Sequence, residues 1–558
     1  MGERVFLRLG VIAAPYDVRM ALTDFPNQDF EQPEPRPDSA ERGSVRDRLV
    51  PPFQGSPLWG WLGPILVALF GAFLRFDRLG TPKAVVFDET YYAKDAYSLI
   101  NFGVERVAVQ DADKMLLAGN TGIWKQCGPE QIGECASYVV HPPLGKWMIG
   151  VGEWLFGPNP FGWRFAAALI GALSILMLAR LARRMTRSTL LGCMAGLLLA
   201  LDGLHFVLSR TALLDVFLMF WVLAGFACLV VDRDASRARL VTWYENATTD
   251  SPGGPWLGMR PWRIAAGVCL GAACAVKWSG IFFLVAFAVM TLLWDAGARR
   301  AIGLRRPYGG MLRHDLPTGL VAVAAAPALT FVATWAGWFA SPYGWGRNWA
   351  QATSGGWVYF IFNSAGSWLN YQLQVLGFHT GLTQSHPYQS QPWQWPLLLR
   401  PVAFFYESPT TGCGSDRCSQ AVLGVGTPVI WYAGFAALVA LVAWYVSTRD
   451  WRAGAVLLTY AVGWLPWFYY AIADNRTMFL FYTAPMIPFM ILALTLVVGL
   501  VIGPAGSVPA RRRVFGAALS GAFVLVALIN FWWLYPVISA EIIPYDDWHR
   551  RMLLDRWI

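Results

Sequence analysis

The chain has 558 residues, of which 56% are hydrophobic and 14% charged, and it carries a net charge of +9. Soluble domains carry about 25% charged residues, so this length cannot be a string of wetted domains. The mean hydropathy of +0.42 and repeated apolar runs of about 20 residues indicate an integral membrane protein instead; disorder, collagen-like repeats and a disulfide miniprotein are excluded by the same figures.

In chain order, residues 1–57 come first, rich in proline and charge. Their apolar patch, Phe6 to Ala14, is broken by Arg8 and lacks the uninterrupted core of a signal peptide. This segment is expected to be a largely disordered cytoplasmic tail. Residues 58–558 are predicted to be all-α, with eleven spans near 58–76, 160–181, 189–207, 211–231, 262–276, 279–295, 317–339, 427–446, 453–472, 477–500 and 515–535. Arg180, Arg183, Arg184 and Arg187 follow the second span, and Arg233, Arg237 and Arg239 the fourth. Arg299, Arg300, Arg305 and Arg306 follow the sixth, Arg449 and Arg452 the eighth, and Arg511 to Arg513 the tenth. Cytoplasmic loops collect such cations. The N-terminus is therefore placed inside, the C-terminus outside, and the positive charge reflects topology rather than nucleic-acid binding.

Two long loops, 77–159 and 340–426, then face outward. Each holds a close cysteine pair, Cys127 with Cys135 and Cys413 with Cys418. No histidine or further cysteine completes a zinc set at ligand spacing, so two local disulfides in an oxidising compartment are the better reading. That placement agrees with the charge count, which did not use the cysteines. Cys193, Cys228, Cys269 and Cys274 lie in apolar runs as small packing residues.

The first loop opens with Phe87-Asp88-Glu89-Thr90-Tyr91-Tyr92-Ala93-Lys94-Asp95. On a helix over 88–101, Asp88, Tyr91, Tyr92 and Asp95 share a face. Two adjacent carboxylates just outside a span suit a general base or a cation site; equally, Asp88 and Glu89 could cap the helix and oppose its dipole. His141-Pro142-Pro143-Leu144-Gly145-Lys146-Trp147 starts an amphipathic helix, on which Lys146 could snorkel toward headgroups. Arg164, Arg210 with Asp215, Lys277, and Arg476 after Asn475 all fall at the outer edges of spans, where charge is costly. A shared anionic target such as a lipid phosphate would gather them; snorkelling and internal pairing, Arg210 with Asp215 for example, is the alternative. The second loop is rich in aromatic rings and amides around His386, Trp393 and Trp395, a composition suited to a sugar cleft and also to a membrane interface.

Taken together, Phe87-Asp88-Glu89-Thr90-Tyr91-Tyr92, His141-Pro142-Pro143-Leu144-Gly145-Lys146, Trp163-Arg164-Phe165, Ser209-Arg210 through Leu214-Asp215, Lys277-Trp278-Ser279-Gly280 and Asn475-Arg476-Thr477-Met478-Phe479 resemble the protein O-mannosyltransferases, most closely their actinobacterial branch. The resemblance implies a GT-C glycosyltransferase in the cell membrane. Such an enzyme moves mannose, with inversion, from a polyprenyl-phosphate carrier to Ser or Thr hydroxyls of exported polypeptides, with the Sec translocon as a candidate meeting place. It further implies that Asp88 acts as or positions the base with Glu89 in support. Arg164 and Lys277 would hold the carrier phosphate, with Arg476 as a further candidate. The β-trefoil insert of eukaryotic members is absent, since the second loop has only about 87 residues. A different acceptor, a lipid or cell-wall glycan, is the nearest alternative; a transporter would call for repeats, and none is seen. A metal on Asp88, Glu89 and His141 is left undecided.

Overall fold

Hydropathy dictates the helices, and polar caps and prolines decide where they stop. The computed structural model describes residues 45–53, 55–128, 132–247, 251–350, 360–503 and 508–558. Helix α1 is Trp59–Phe76, α2 Glu89–Phe102, α3 Leu144–Phe156, α4 Pro160–Thr186, α5 Thr189–Ala200, α6 Asp215–Asn246, α7 Pro261–Val276 and α8 Gly280–Ala301. Then come α9, Pro307–Ala333, α10, Phe360–Thr380, α11, Pro428–Thr448, α12, Trp451–Ile472, α13, Leu480–Ile502, and α14, Ala510–Ile538. Among the described residues nine of these are long and apolar enough to cross a membrane, and α5 and α7 are shorter apolar helices. The chain is a multi-pass membrane protein.

Local chemistry explains the boundaries. The Asn159 side chain accepts from the Phe161 and Gly162 amides at 3.1 Å, with Pro160 at the first position of α4. Expected span 189–207 is broken: α5 ends at Ala200, and Asp202 starts a short helix, Gly203–Leu208, by accepting from the His205 amide. In α9 two wider π turns, Met311–Asp315 and Val321–Ala325, each lie just before a proline, Pro317 and Pro327. A proline removes a helical hydrogen bond and crowds the preceding turn, and the wider turns accommodate both.

Packing orders the helices from centre to rim. In α6 and α13 72% of the apolar window is buried, against 22% in α9 and α14, so the last two present their side chains to lipid. Gly267 lets α9 lie against α7, since a Cβ there would stand 1.8 Å from the Ala322 carbonyl oxygen.

The two ends of the bundle differ. At one end Arg260, Arg263 and Arg299 are buried with Asp232, Asp295 and Asp315, and Arg260 bridges Asp232 and Asp295. This charge-balanced knot ties α6, α7, α8 and α9. Residues 45–49, expected to be part of a structureless tail, form a helical turn whose Leu49 packs with Leu240, Val241 and Ile302. The apolar Leu49 supplies the contact that composition alone hid. Residues 1–44 of that expected tail lie outside the described residues.

At the other end are α2, α3, α10 and a small sheet that the all-α expectation omitted. Strand β1, Val402–Glu407, pairs antiparallel with β2, Cys418–Gly424, and β2 with β3, Ile542–Pro544, in the order β1-β2-β3. The segment after α14 thus returns to the second long loop, where Trp557 donates to the Leu398 carbonyl at 2.8 Å. Cys127 is bonded to Cys135 and Cys413 to Cys418, with Cα separations of 5.4 and 5.8 Å.

Candidate active site

The turn into α2 separates two neighbouring carboxylates. Phe87 has φ +49, a conformation strained for a bulky side chain. Its ring is held by Phe404, stacked at 5.0 Å, and by Phe479 and Phe481 edge-on at 6.1 and 5.8 Å. Glu89 then turns inward and is fully buried. Its Oε1 accepts from Arg164 Nε at 2.8 Å and the Ala212 amide at 3.0 Å, and its Oε2 from an Arg164 terminal nitrogen at 2.8 Å and the Val86 amide at 2.9 Å. Arg164 spends its remaining donors on the carbonyls of Leu79, Pro82 and Ala84. The expectation that Arg164 meets a phosphate is therefore corrected: its guanidinium is saturated and buried, and it anchors Glu89.

Asp88 behaves differently. Its carboxylate has no hydrogen-bond or ion-pair partner among the described residues. Burial pushes its pKa up to about 6, opposed by the charge of Lys277 and reinforced by that of Asp215. The two charges that act on Asp88, Lys277 and Asp215, line a cavity of about 780 Å3, counting its open part, whose wall also includes His141, His379, Arg476 and Tyr482.

Two cations reach that wall by local devices. Lys277 occupies the turn between α7 and α8, which Gly280 makes possible: a Cβ there would meet the Cys274 amide nitrogen at 2.6 Å. Its Nζ contacts both oxygens of Asp215 at 2.8 and 2.9 Å. Arg476 follows Asn475, an exposed residue with φ +46. It donates from Nε to the His379 carbonyl at 2.9 Å and lies over the rings of Trp467 and Tyr482 at 5.7 and 5.6 Å.

The histidines form a pair that motif reading missed. His141 and His379 have ring centroids 5.1 Å apart. His379 Nε2 donates to the Val140 carbonyl at 2.8 Å, leaving Nδ1 to face Arg476 at 3.4 Å. Burial, with Arg476 and Lys277 adding to it, lowers the His379 pKa to about 4, so the ring is neutral near pH 7. Burial, with Lys277 next, likewise holds His141 well below its ordinary value. His379, Tyr482 and Trp467 carried no sequence signal beyond lying in aromatic stretches.

The other expected residues are distributed as follows. Tyr92 is buried, its ring 6.1 Å from that of His141. Lys146 does not snorkel; it is buried on Glu105, with Asp95 at 3.9 Å, and burial pushes Asp95 up to about 7 against the pull of Lys146. Arg210 does not pair with Asp215, which Lys277 occupies. It donates to the carbonyls of Leu74, Arg75, Asp77 and Arg78 and so closes the end of α1. His386 packs against Phe87 and Phe479, and Trp393 lies half-exposed on Phe468; neither lines the cavity. Asp88, Glu89 and His141 do not assemble as metal ligands, because Glu89 is committed to Arg164, and no group of three such residues is placed to hold a metal among the described residues.

The helices, the two long loops and the cation-lined cavity are those of a GT-C membrane glycosyltransferase. The S. cerevisiae protein O-mannosyltransferase Pmt1-Pmt2 complex bound to the sugar donor superposes with a TM-score of 0.66 at 15% identity, over 93% of this chain and 94% of that one. Sequence profiles for dolichyl-phosphate-mannose-protein mannosyltransferase and for the C-terminal four-transmembrane region of protein-O-mannosyltransferase match residues 65–314 and 365–557. Proteins named polyprenol-phosphate-mannose–protein mannosyltransferase are 38% identical in Mycolicibacterium smegmatis, over 91% of this chain and 96% of the relative. In Corynebacterium glutamicum the figure is 30%, over 88% and 92%. The chain belongs to the protein O-mannosyltransferase family.

Proposed function

We propose that the protein transfers mannose from polyprenyl-phosphate mannose to Ser and Thr hydroxyls of exported polypeptides, with inversion, at the external face of the cell membrane. The observation that carries this reading is the unpartnered Asp88 carboxylate within the electrostatic reach of Lys277, which walls a cavity together with Arg476. The acceptor oxygen attacks the anomeric carbon from the Asp88 side and gives its proton to that carboxylate. The bond from the anomeric carbon to the phosphate oxygen breaks, and its electron pair leaves with polyprenyl phosphate. Lys277 and Arg476 stabilise that developing charge, so a separate general acid is unnecessary. A single displacement inverts the centre. Glu89 and Arg164 position Asp88 rather than touch substrate.

The external placement is supported by the arginine clusters at the opposite end of the bundle and by the disulfides at the same end as the site. The proposal puts the encounter with acceptors where exported chains emerge, at the Sec translocon.

The test is to supply membranes containing the protein with labelled polyprenyl-phosphate mannose and a Ser/Thr peptide. Labelled peptide is expected, and none with Asp88→Asn. Label found only in lipid or cell-wall glycan would overturn the protein acceptor.

A further inference from the structure

At the end of the bundle opposite Asp88, a second cavity of about 1410 Å3, counting its open part, lies among the ends of α4, α5, α11, α12, α13 and α14. Helix α4 links the two regions. Its run from Arg164 to Thr186 spans about 33 Å at the helical rise, close to the thickness of a hydrocarbon core. The second cavity therefore sits at the other membrane surface.

Its wall divides by chemistry. The polar side holds Arg187, Arg452, Arg513 and Asp450. Arg452 is engaged by Asp450 at 2.6 Å and Arg187 by Asp234 at 3.1 Å. Arg513 has a buried Nε without a partner among the described residues. The apolar side is made by Leu441, Trp444, Leu496 and Leu500. Leu190 on the wall, and Val514 and Phe515 next after Arg513 in α14, are exposed by 67, 69 and 70%, a surface suited to hydrocarbon and not to water.

We infer that this cavity binds an anionic phospholipid, its phosphate on Arg513 with Arg187 and Arg452 alongside, and an acyl chain along Leu441, Leu496 and Leu500. A guanidinium fork can donate two parallel hydrogen bonds to a phosphate. The apolar half of the wall selects a lipid over a free anion. This site is separate from Asp88 and holds whatever the acceptor proves to be.

The test uses the purified full chain, stripped of lipid in detergent, with binding read by native mass spectrometry and protection by thermal unfolding. Phosphatidylglycerol is expected to bind about tenfold tighter than phosphatidylcholine: both carry a phosphate diester, but the choline cation of the second is repelled by the arginines of the wall. Arg513→Gln is expected to remove that preference, whereas Arg511→Gln, on an exposed neighbour, keeps it. Leu500→Trp, which fills the apolar half without touching charge, is expected to weaken both lipids, and it tests the site even if Arg513→Gln fails to fold. Equal binding of the two lipids, equal loss with Arg511→Gln, or protection by inorganic phosphate matching that by phosphatidylglycerol would overturn the inference.

Discussion

Asp88 is a carboxylate removed from water and left without a hydrogen-bonding partner, and both its chemistry and its pH response follow from that. With a pKa near 6 it is ionised at pH 7 yet basic enough to take a proton. Transfer is expected to fall as pH drops through about 6, since the protonated acid cannot act as base. In Asp215→Asn that acid limb is expected at lower pH. The Asp215 charge raises the Asp88 pKa, so its loss lowers it, and Lys277, freed from its pair, lowers it further. A pH–rate profile of kcat/KM checks both, and an unmoved limb in Asp215→Asn would dissociate Asp215 from the base. If Lys277 holds the carrier phosphate as proposed, Lys277→Met is expected to raise KM for the donor by about tenfold or more, measured with labelled donor. The cations at 277 and 476 were legible because a charge at the edge of an apolar run needs a reason. What Arg164 does was not legible, because its partner Glu89 lies 75 positions away in sequence and its other partners are backbone carbonyls.

Among the elements, the start of α2 depends on a pair of buried charges. Glu89→Gln leaves the Arg164 guanidinium without its counter-ion, a change that costs about 3–5 kcal/mol when a buried pair is broken. A lowered thermal midpoint is expected, recovered in part by Glu89→Gln with Arg164→Met, while transfer stays impaired because Asp88 is no longer held. Recovery of full activity in the double variant would mean the pair does not position Asp88. The helices themselves were readable from hydropathy. The break at Asp202 was not, because one acidic residue within an apolar run can cap a helix without interrupting the composition. The strands escaped notice since they are six and seven residues long, and β3 comes from the far end of the chain.

On the scale of the whole molecule, the arginine clusters and the buried charge knot mark one end, the disulfides, sheet and Asp88 the other. Single cysteines introduced at Thr410 and Arg300, in a background lacking the four unpaired native cysteines, report this polarity in intact cells. A membrane-impermeant maleimide is expected to label Thr410→Cys and spare Arg300→Cys. The reverse pattern would invert the protein in its membrane. The arrangement brings segments from residues 141 to 482 around one cavity, at the same end as Asp88. The measurement that reaches this most directly is single-turnover transfer by purified Asp88→Asn loaded with labelled polyprenyl-phosphate mannose and mixed with a Ser/Thr peptide. With donor still bound, transfer is expected to be slower by about 10²–10⁴, the range for loss of a general base; transfer at the unmodified rate would contradict a role for Asp88 in the reaction.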